Sequence, residues 1–116
     1  AEQPPEVLAE KLRLTEASVR LSPREWSFRR NLAMAQYRNG QYQQALQTLD
    51  LVAEMAQTPP KDPILTAFTS LALAQLGQSS RARTALSRLE EILAERPSAL
   101  PSALVAEVRG LVGSLR

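Results

Sequence analysis

The sequence predicts an all-α protein, and three observations support this prediction. Ala, Leu, Arg, Gln and Glu dominate the 116 residues, and all five are strong helix formers. Val, Ile, Thr and the aromatic residues, which favour strands, are sparse, with five aromatic side chains in the whole chain. Apolar residues recur at spacings of three and four, and Pro and Gly interrupt them at regular intervals. We therefore expect about six helices around a core of Ala and Leu.

The first helix is predicted over residues 6–20. Its buried stripe follows helical spacing and consists of Leu8, Leu12, Thr15 and Val19. Ser22, Pro23 and Glu25 then match a capping box, with Ser as N-cap, Pro as the first helical residue and Glu as the third. The second helix is predicted to begin there and to end at about Arg38.

The second helix is predicted to end at Asn39-Gly40, because Gly40 suits the C′ position, where φ is positive. The third helix begins near Tyr42 and carries on one face Ala45, Leu49, Val52 and Ala56. A stiff linker with three prolines, residues 58–63, follows.

The fourth helix has a predicted N-cap at Asp62 and begins at Pro63. It presents Ile64, Phe68, Leu71 and Gln75. Gly77 ends this helix as Gly40 ended the second.

The fifth helix is predicted to open near Ser79 and to stop at Pro97. Its predicted buried residues are Ala82, Leu86, Leu89 and Leu93. A sixth helix follows Pro101, and its apolar positions are Leu104, Val108, Leu111 and Leu115.

The chain contains an internal repeat of 37 residues. Three residue pairs share this separation: Gly40 and Gly77, Ala45 and Ala82, Leu49 and Leu86. In each unit an Ala-rich and Leu-rich helix ends on Gly, and a small residue follows five positions later. Helix pairs that recur every 34 to 40 residues are typical of an α-solenoid of antiparallel helix pairs.

Residues 31–46 carry an ordered pattern, which is a Leu-small pair, an aromatic, a turn Gly, a second aromatic and a small residue: Leu32-Ala33, Tyr37, Gly40, Tyr42 and Ala45. This pattern resembles the centre of a tetratricopeptide repeat (TPR), with Tyr37 one position later than the family's usual aromatic. In the second unit Gly77, Ala82 and Leu86 match, while Thr69-Ser70 replaces the Leu-small pair.

The resemblance implies a single TPR-like domain over residues 1–116, organised as half, whole, whole and half repeats. The predicted segments are a half-repeat or N-terminal capping helix at 6–21, repeats at 22–57 and 62–96, and a C-terminal capping helix at 100–116. Helices two to five also resemble TPR segments of large bacterial multidomain proteins. We therefore expect the chain to be a piece of something larger, with further domains of the same polypeptide as partners.

The resemblance also implies binding of a protein or peptide, because the first helices of TPR pairs line a concave groove. Carried over by position, helix two would contribute Arg30, Asn31, Met34, Tyr37 and Arg38. Helix four would contribute Ile64, Ala67, Phe68, Leu71 and Gln75. A clamp for a terminal carboxylate is disfavoured, because Met34 and Phe68 stand where Asn is needed. Trp26 is interpreted as a core residue.

An architectural role is the alternative function. The helical array would then pack against a neighbouring domain or a second copy, and a dimer joined through helix six would support it. A helical bundle without repeats is a third interpretation. The oligomeric state is left open by the sequence.

The composition excludes much catalytic chemistry. The chain has no Cys and no His, which removes disulfides, Cys/His zinc sites, Cys nucleophiles and His bases. It has no Gly-rich phosphate loop, and the side chains of the adjacent Glu90 and Glu91 point about 100° apart on a helix. We expect no enzyme activity, no cofactor and no metal.

The charge pattern argues against nucleic acid and membrane partners. Fourteen basic residues oppose twelve acidic ones, giving a net charge of +2, and acids interleave with the arginines of helices one, five and six. No apolar stretch approaches the roughly 20 residues of a membrane span. No signal-peptide pattern opens the sequence, which favours the cytoplasm, although a leader cleaved before Ala1 would leave no trace.

Overall fold

The computed structural model describes residues 3–55 and 62–115, and in these residues it contains six α-helices and no strand. The helices are α1 (Pro5–Leu21), α2 (Trp26–Arg38), α3 (Tyr42–Met55), α4 (Pro63–Gln75), α5 (Ser79–Glu95) and α6 (Ser102–Gly113). This confirms the predicted all-α class and the number of helices in the described part of the chain. Ala56 and most of the predicted linker lie outside the described residues.

The contacts divide the chain into two compact units, Ala1–Pro59 with α1 to α3 and Pro60–Arg116 with α4 to α6. Each unit has its own set of buried apolar residues. The finer division into TPR-like repeats stays a prediction.

In the first unit α2 packs against both α1 and α3. Ala33 of α2 and Ala45 of α3 are fully buried, and Leu49 and Val52 lie beside them in the core. Small side chains at the contact allow two helix axes to approach closely, so the larger Leu and Val can fill the space on either side. The prediction that Ala45, Leu49 and Val52 form the buried face of this helix is confirmed.

The first helix is less buried than its apolar stripe suggested. The predicted stripe of α1 faces the interior, yet Leu8, Leu12, Thr15 and Val19 are only half-buried, and α1 has no fully buried residue. Since α2 is the only element that α1 contacts within the first unit, one packed face covers only part of its surface.

The predicted capping box is wrong. Ser22 and Glu25 close a turn instead, in which the Glu25 N–H donates to the Ser22 carbonyl oxygen (3.1 Å), and α2 begins at Trp26. The Glu25 carboxylate accepts a hydrogen bond from the Ser27 hydroxyl (3.1 Å) rather than reaching back. Pro23 explains the error, because its fixed φ suits the second position of a β-turn as well as the first turn of a helix.

Gly40 ends α2 as the sequence predicted, with φ at +78°. The Gln41 N–H donates to the Gln36 carbonyl oxygen (2.9 Å), and the Gly40 N–H donates to the Tyr37 carbonyl oxygen (3.0 Å). These two bonds define a Schellman motif, which satisfies carbonyl groups that the end of the helix leaves open.

The second unit contains the same turn 37 residues later. Gly77 has φ at +74°, the Gln78 N–H donates to the Leu73 carbonyl oxygen (2.9 Å), and the Gly77 N–H donates to that of Ala74 (3.1 Å). Both turns lead directly into the next helix, whose first carbonyl acceptor is Gln41 in one case and Gln78 in the other. The internal repeat is therefore a repeat of backbone hydrogen bonds as well as of residue types.

Asn39, next to the first of these glycines, links the turn to α1. Its side-chain amide donates to the carbonyl oxygen of Leu8 (2.9 Å) and to that of Ala35 (2.7 Å). One amide group therefore caps α2 and holds it against α1.

In the second unit α4 contacts both α5 and α6, and α5 also contacts α6. Asp62 is the N-cap that the sequence predicted, since its carboxylate accepts from the Ile64 N–H (3.0 Å). Ser70 and Ala82 are fully buried where α4 meets α5, and the Ser70 hydroxyl donates to the Ala82 carbonyl oxygen (3.1 Å). These two residues stand 37 positions after Ala33 and Ala45, so small residues recur at the contact.

Predicted core positions shift on two helices, α5 and α6. On α5 Ala85 is buried in place of Leu86, which is half-buried at the edge of the packed face. On α6 the buried residues are Val105, Val108 and Val112, whereas Leu104, Leu111 and Leu115 are half-buried. The reason is that a leucine beside the packed face can cover its edge without entering the core.

Polar contacts on the surface of the second unit join α5 to α6. The Arg109 guanidinium donates to both oxygens of Glu90 (2.8 and 3.0 Å). This hydrogen bonding, and then the negative charge of Glu90, raise the pKa of Arg109 above its ordinary value. Arg83 donates to the Leu115 carbonyl oxygen (3.1 Å) beyond the end of α6. None of the described helices has the length and apolar character needed to cross a membrane.

The turn glycines lead to a stability prediction with a control in the same unit. Gly77→Ala should lower the free energy of unfolding by about 1 kcal/mol, because a Cβ is disfavoured at positive φ. Gly110→Ala should raise it by about 0.5–1 kcal/mol, because Gly110 is helical and nothing lies within 4 Å of an added Cβ. Urea denaturation followed by circular dichroism measures both changes, and equal effects of the two variants would contradict the turn assignment.

We expect a larger loss of stability from a substitution at the first turn. Gly40→Val should cost about 1–2 kcal/mol, since a β-branched residue is the least tolerant of the left-handed region. An unchanged melting curve would show that Gly40 does not need its positive φ.

Asn39 gives a third stability prediction. Asn39→Ala removes two hydrogen bonds and should cost about 1 kcal/mol. Asn39→Asp should cost more, because carboxylate oxygens would then face the carbonyl oxygens of Leu8 and Ala35. Asn31→Ala is the control, since Asn31 is exposed on the same helix and should change stability by less than about 0.5 kcal/mol.

Candidate partner-binding surface

The helix α2 exposes one line of the residues that the sequence predicted for binding. Asn31 and Arg38 are exposed, and Met34 is half-buried between them at spacings of three and four. Arg30, also half-buried, stands one turn before Met34 and two turns before Arg38. We call these four residues the α2 row. Tyr37 is not part of it, because its side chain is buried.

Both arginines of the α2 row lie on aromatic rings. The guanidinium carbon of Arg30 is 5.5 Å from the centroid of the Trp26 ring, and that of Arg38 is 5.5 Å from the centroid of the Tyr37 ring. The Tyr37 ring packs in turn on Tyr42 of α3, with centroids 5.2 Å apart. A cation held over a ring face gains about 0.5–1 kcal/mol at an exposed site and loses some rotamer freedom. The two charges are therefore held in place before any partner arrives.

The electrostatic character of α2 is positive. The helix has three arginines and no acidic residue. Arg29 is used within the fold, since its Nε donates to the Pro23 carbonyl oxygen (3.0 Å). Arg30 and Arg38 are then the two cationic groups of the α2 row. A surface of this kind attracts carboxylates.

The predicted contribution of α4 is mostly buried. Ala67, Phe68 and Leu71 belong to the core, Ile64 is half-buried, and only Gln75 is exposed. The physical reason is visible in the sequence of α4, which has no charged residue and is apolar on nearly every side, as expected of a helix that packs against two others. Phe68 and Leu71 therefore stabilise the fold in this structure and present no surface to a ligand.

The helices α2 and α4 belong to different units, so a groove formed by both stays a prediction. Among the predicted residues, Asn31 and Arg38 of the first unit and Gln75 of the second are exposed, and the half-buried ones are Arg30, Met34 and Ile64. The aromatic support of the arginines was missed by the sequence reasoning. The separation of four between Trp26 and Arg30 was the available signal, because residues one helical turn apart share a face.

Two of the three arginines of α5 have hydrogen-bond partners within the chain. Arg81 donates to the side chain of Gln78 (2.7 Å), and Arg83 donates to the Leu115 carbonyl oxygen. Arg88 is exposed on the same helix, and Glu90 and Glu91 stand two and three positions after it. Contacts within the chain therefore explain the positions of Arg81 and Arg83 with no need for a bound phosphate.

A shallow cleft of about 510 Å³ lies between the end of α5 and the start of α6. Its lining is mainly apolar and comprises Leu93, Pro97, Leu100, Ser102, Val105, Ala106 and Arg109. The polar groups in this lining are one hydroxyl and one guanidinium, and Glu90 already holds the guanidinium. The lining of the cleft therefore suits an apolar side chain.

Comparison with known proteins does not assign this chain to a family. No family model matches this chain, and no curated protein or solved structure matches it either. The resemblance to the tetratricopeptide repeat is thus carried by the 37-residue pattern and stays a prediction.

Proposed function

We propose that this chain is a non-catalytic protein-interaction module of the TPR type, in which α2 and α3, and likewise α4 and α5, form antiparallel pairs of an α-solenoid. The support is the pair of Schellman turns, which have the same hydrogen bonds and the same separation as the sequence repeat. Three residues separate the helices at each turn, and such short connections favour antiparallel neighbours.

The α2 row is the proposed binding surface, and its occupant is an acidic segment of a protein. The observation that carries this proposal is the placement of Arg30 and Arg38 on aromatic rings. Ordering a long side chain costs free energy on binding, and pre-ordered arginines reduce that cost. Binding energy in protein interfaces is also concentrated in aromatic residues and Arg.

The dimensions of the α2 row restrict the sequence of the partner. Eight residues separate Arg30 from Arg38, which is about 12 Å along a helix. In an extended peptide, two carboxylates four residues apart are separated by about 13 Å. Met34 lies between the arginines and offers an adaptable apolar contact. The preferred ligand therefore has two acidic residues with an apolar residue between them.

Selection from a random peptide library tests this proposal with no partner chosen beforehand. We expect enrichment of peptides that carry Asp or Glu at a spacing of about four. The affinity of a selected peptide should fall at least tenfold with Arg38→Glu, which is about 1.4 kcal/mol. It should also fall as salt is raised, because exposed charges are screened.

Arg88→Glu is the matched control, since it makes the same charge change at an exposed arginine on α5. Fluorescence anisotropy should give the same affinity for this variant as for the unchanged chain. Enrichment of basic or purely apolar peptides would refute the proposal, as would equal losses in the two variants.

A further inference from the structure

The helix α1 carries a second apolar line, and its three side chains are exposed. Val7, Leu14 and Leu21 are exposed by 40%, 59% and 85% of their surfaces. They are spaced by seven residues, so they lie along one side of α1, away from the half-buried stripe that meets α2. We call them the α1 outer line. Scattered exposed leucines are ordinary, but an aligned set on one helix is a surface suited to another helix.

The helix α6 has an outer face of the opposite kind. Ala103, Ala106, Gly110 and Gly113 are all exposed and follow spacings of three and four. We call them the α6 flat face. Neither glycine has a positive φ, and nothing lies within 4 Å of a Cβ added at either position. A helical glycine lowers the free energy of unfolding by about 1 kcal/mol relative to Ala. No contact within the described part of the folded chain explains why Gly rather than Ala stands at these two positions.

We propose that the α1 outer line of one copy of this chain docks on the α6 flat face of a second copy. Large side chains on α1 then meet a surface without large side chains on α6. The spacing also matches, because Ala103 to Gly110 and Ala106 to Gly113 are each seven residues, the same as Val7 to Leu14. Two steps of seven residues on facing helices keep side chains in register.

Charge selects the antiparallel orientation of the two helices. Glu10 and Lys11 flank the α1 outer line on opposite sides, and Arg109 and Glu107 flank the α6 flat face on opposite sides. In the antiparallel arrangement Glu10 faces Arg109 and Lys11 faces Glu107, whereas the parallel arrangement places like charges together. Within its own chain Glu10 pairs with Arg13 and Arg109 pairs with Glu90, so the flanking charges guide orientation more than they add affinity.

The cleft beside α6 accommodates the most exposed leucine. In the antiparallel register, Val7 lies between the two glycines of the α6 flat face, and Leu14 lies between its two alanines. Leu21 then lies beyond the first residue of α6. That position adjoins the cleft lined by Leu93, Pro97 and the start of α6. One docking register therefore places the whole α1 outer line on apolar or small-residue surface.

The contact joins two different faces of the chain, the α1 outer line of one copy and the α6 flat face of the other. After docking, one copy keeps an open α6 flat face and the other keeps an open α1 outer line, so association continues or closes into a ring. One helix face buries less than the roughly 1,200 Å² that separates weak encounters from standard interfaces. The association is therefore weak and depends on protein concentration. It uses no residue of the α2 row.

Sedimentation velocity from about 10 µM to 1 mM tests this proposal. The weight-average mass of the unchanged chain should rise with concentration. Leu14→Gln combined with Leu21→Gln, and separately Gly110→Leu, should each lower the association constant at least tenfold. Leu51→Gln, a matched change at an exposed leucine of α3, should leave association unchanged. Circular dichroism checks that each variant keeps its helices.

Mixing the two blocked variants gives the decisive measurement. The Leu14→Gln/Leu21→Gln chain keeps its α6 flat face, and the Gly110→Leu chain keeps its α1 outer line. The mixture should form a one-to-one dimer that grows no further. The proposal is overturned if the unchanged chain stays monomeric at 1 mM, if either blocked variant self-associates like the unchanged chain, or if the mixture stays monomeric. Should the double variant fail to fold, Gly110→Leu alone still decides, because nothing within the chain obstructs that position.

Discussion

The fold depends on helix pairs that pack with small residues in their buried faces, Ala33 and Ala45 in the first unit and Ser70 and Ala82 in the second. The turn that joins the two helices of each pair is three residues long, and Gly40 and Gly77 give it one backbone geometry with positive φ. The hydroxyl of Ser70 reaches the Ala82 carbonyl because the two backbones are near each other. The short turn and the small buried residues together determine how the two helices of each pair pack. The larger core residues fill the space that remains between the helices.

This constraint determines which helices can carry a binding surface. In the second unit α4 packs on two helices and is buried, so its apolar residues serve the core. In the first unit α2 also packs on two helices, yet it keeps one exposed line, and that line holds the pre-ordered arginines. The helices α1 and α6 have open outer faces, one with large apolar residues and one with small residues.

Much of this fold could be predicted from the sequence where a residue has one physical use. Gly at C′ and Asp before Pro each point to a single backbone geometry, and Gly40 and Asp62 were placed correctly. Prediction failed where a residue has two uses: Pro23 suits a turn and a helix start, and Leu86 suits a core and its edge. The accessible part of the site could not be predicted, because burial of Phe68 and Leu71 depends on contacts between helices distant in sequence.

The choice of Arg over Lys, twelve against two, follows from the tasks that these cations perform. A planar guanidinium stacks on rings at Arg30 and Arg38, holds both oxygens of Glu90 at Arg109, and donates to a backbone carbonyl at Arg29 and Arg83. An ammonium group cannot form the bidentate pair and stacks less well. A chain without Cys or His has neither disulfides nor Cys/His zinc sites to fix its surface. In this chain the contacts of the planar guanidinium groups fix the surface instead. The same contacts hold the two charges of the α2 row in place.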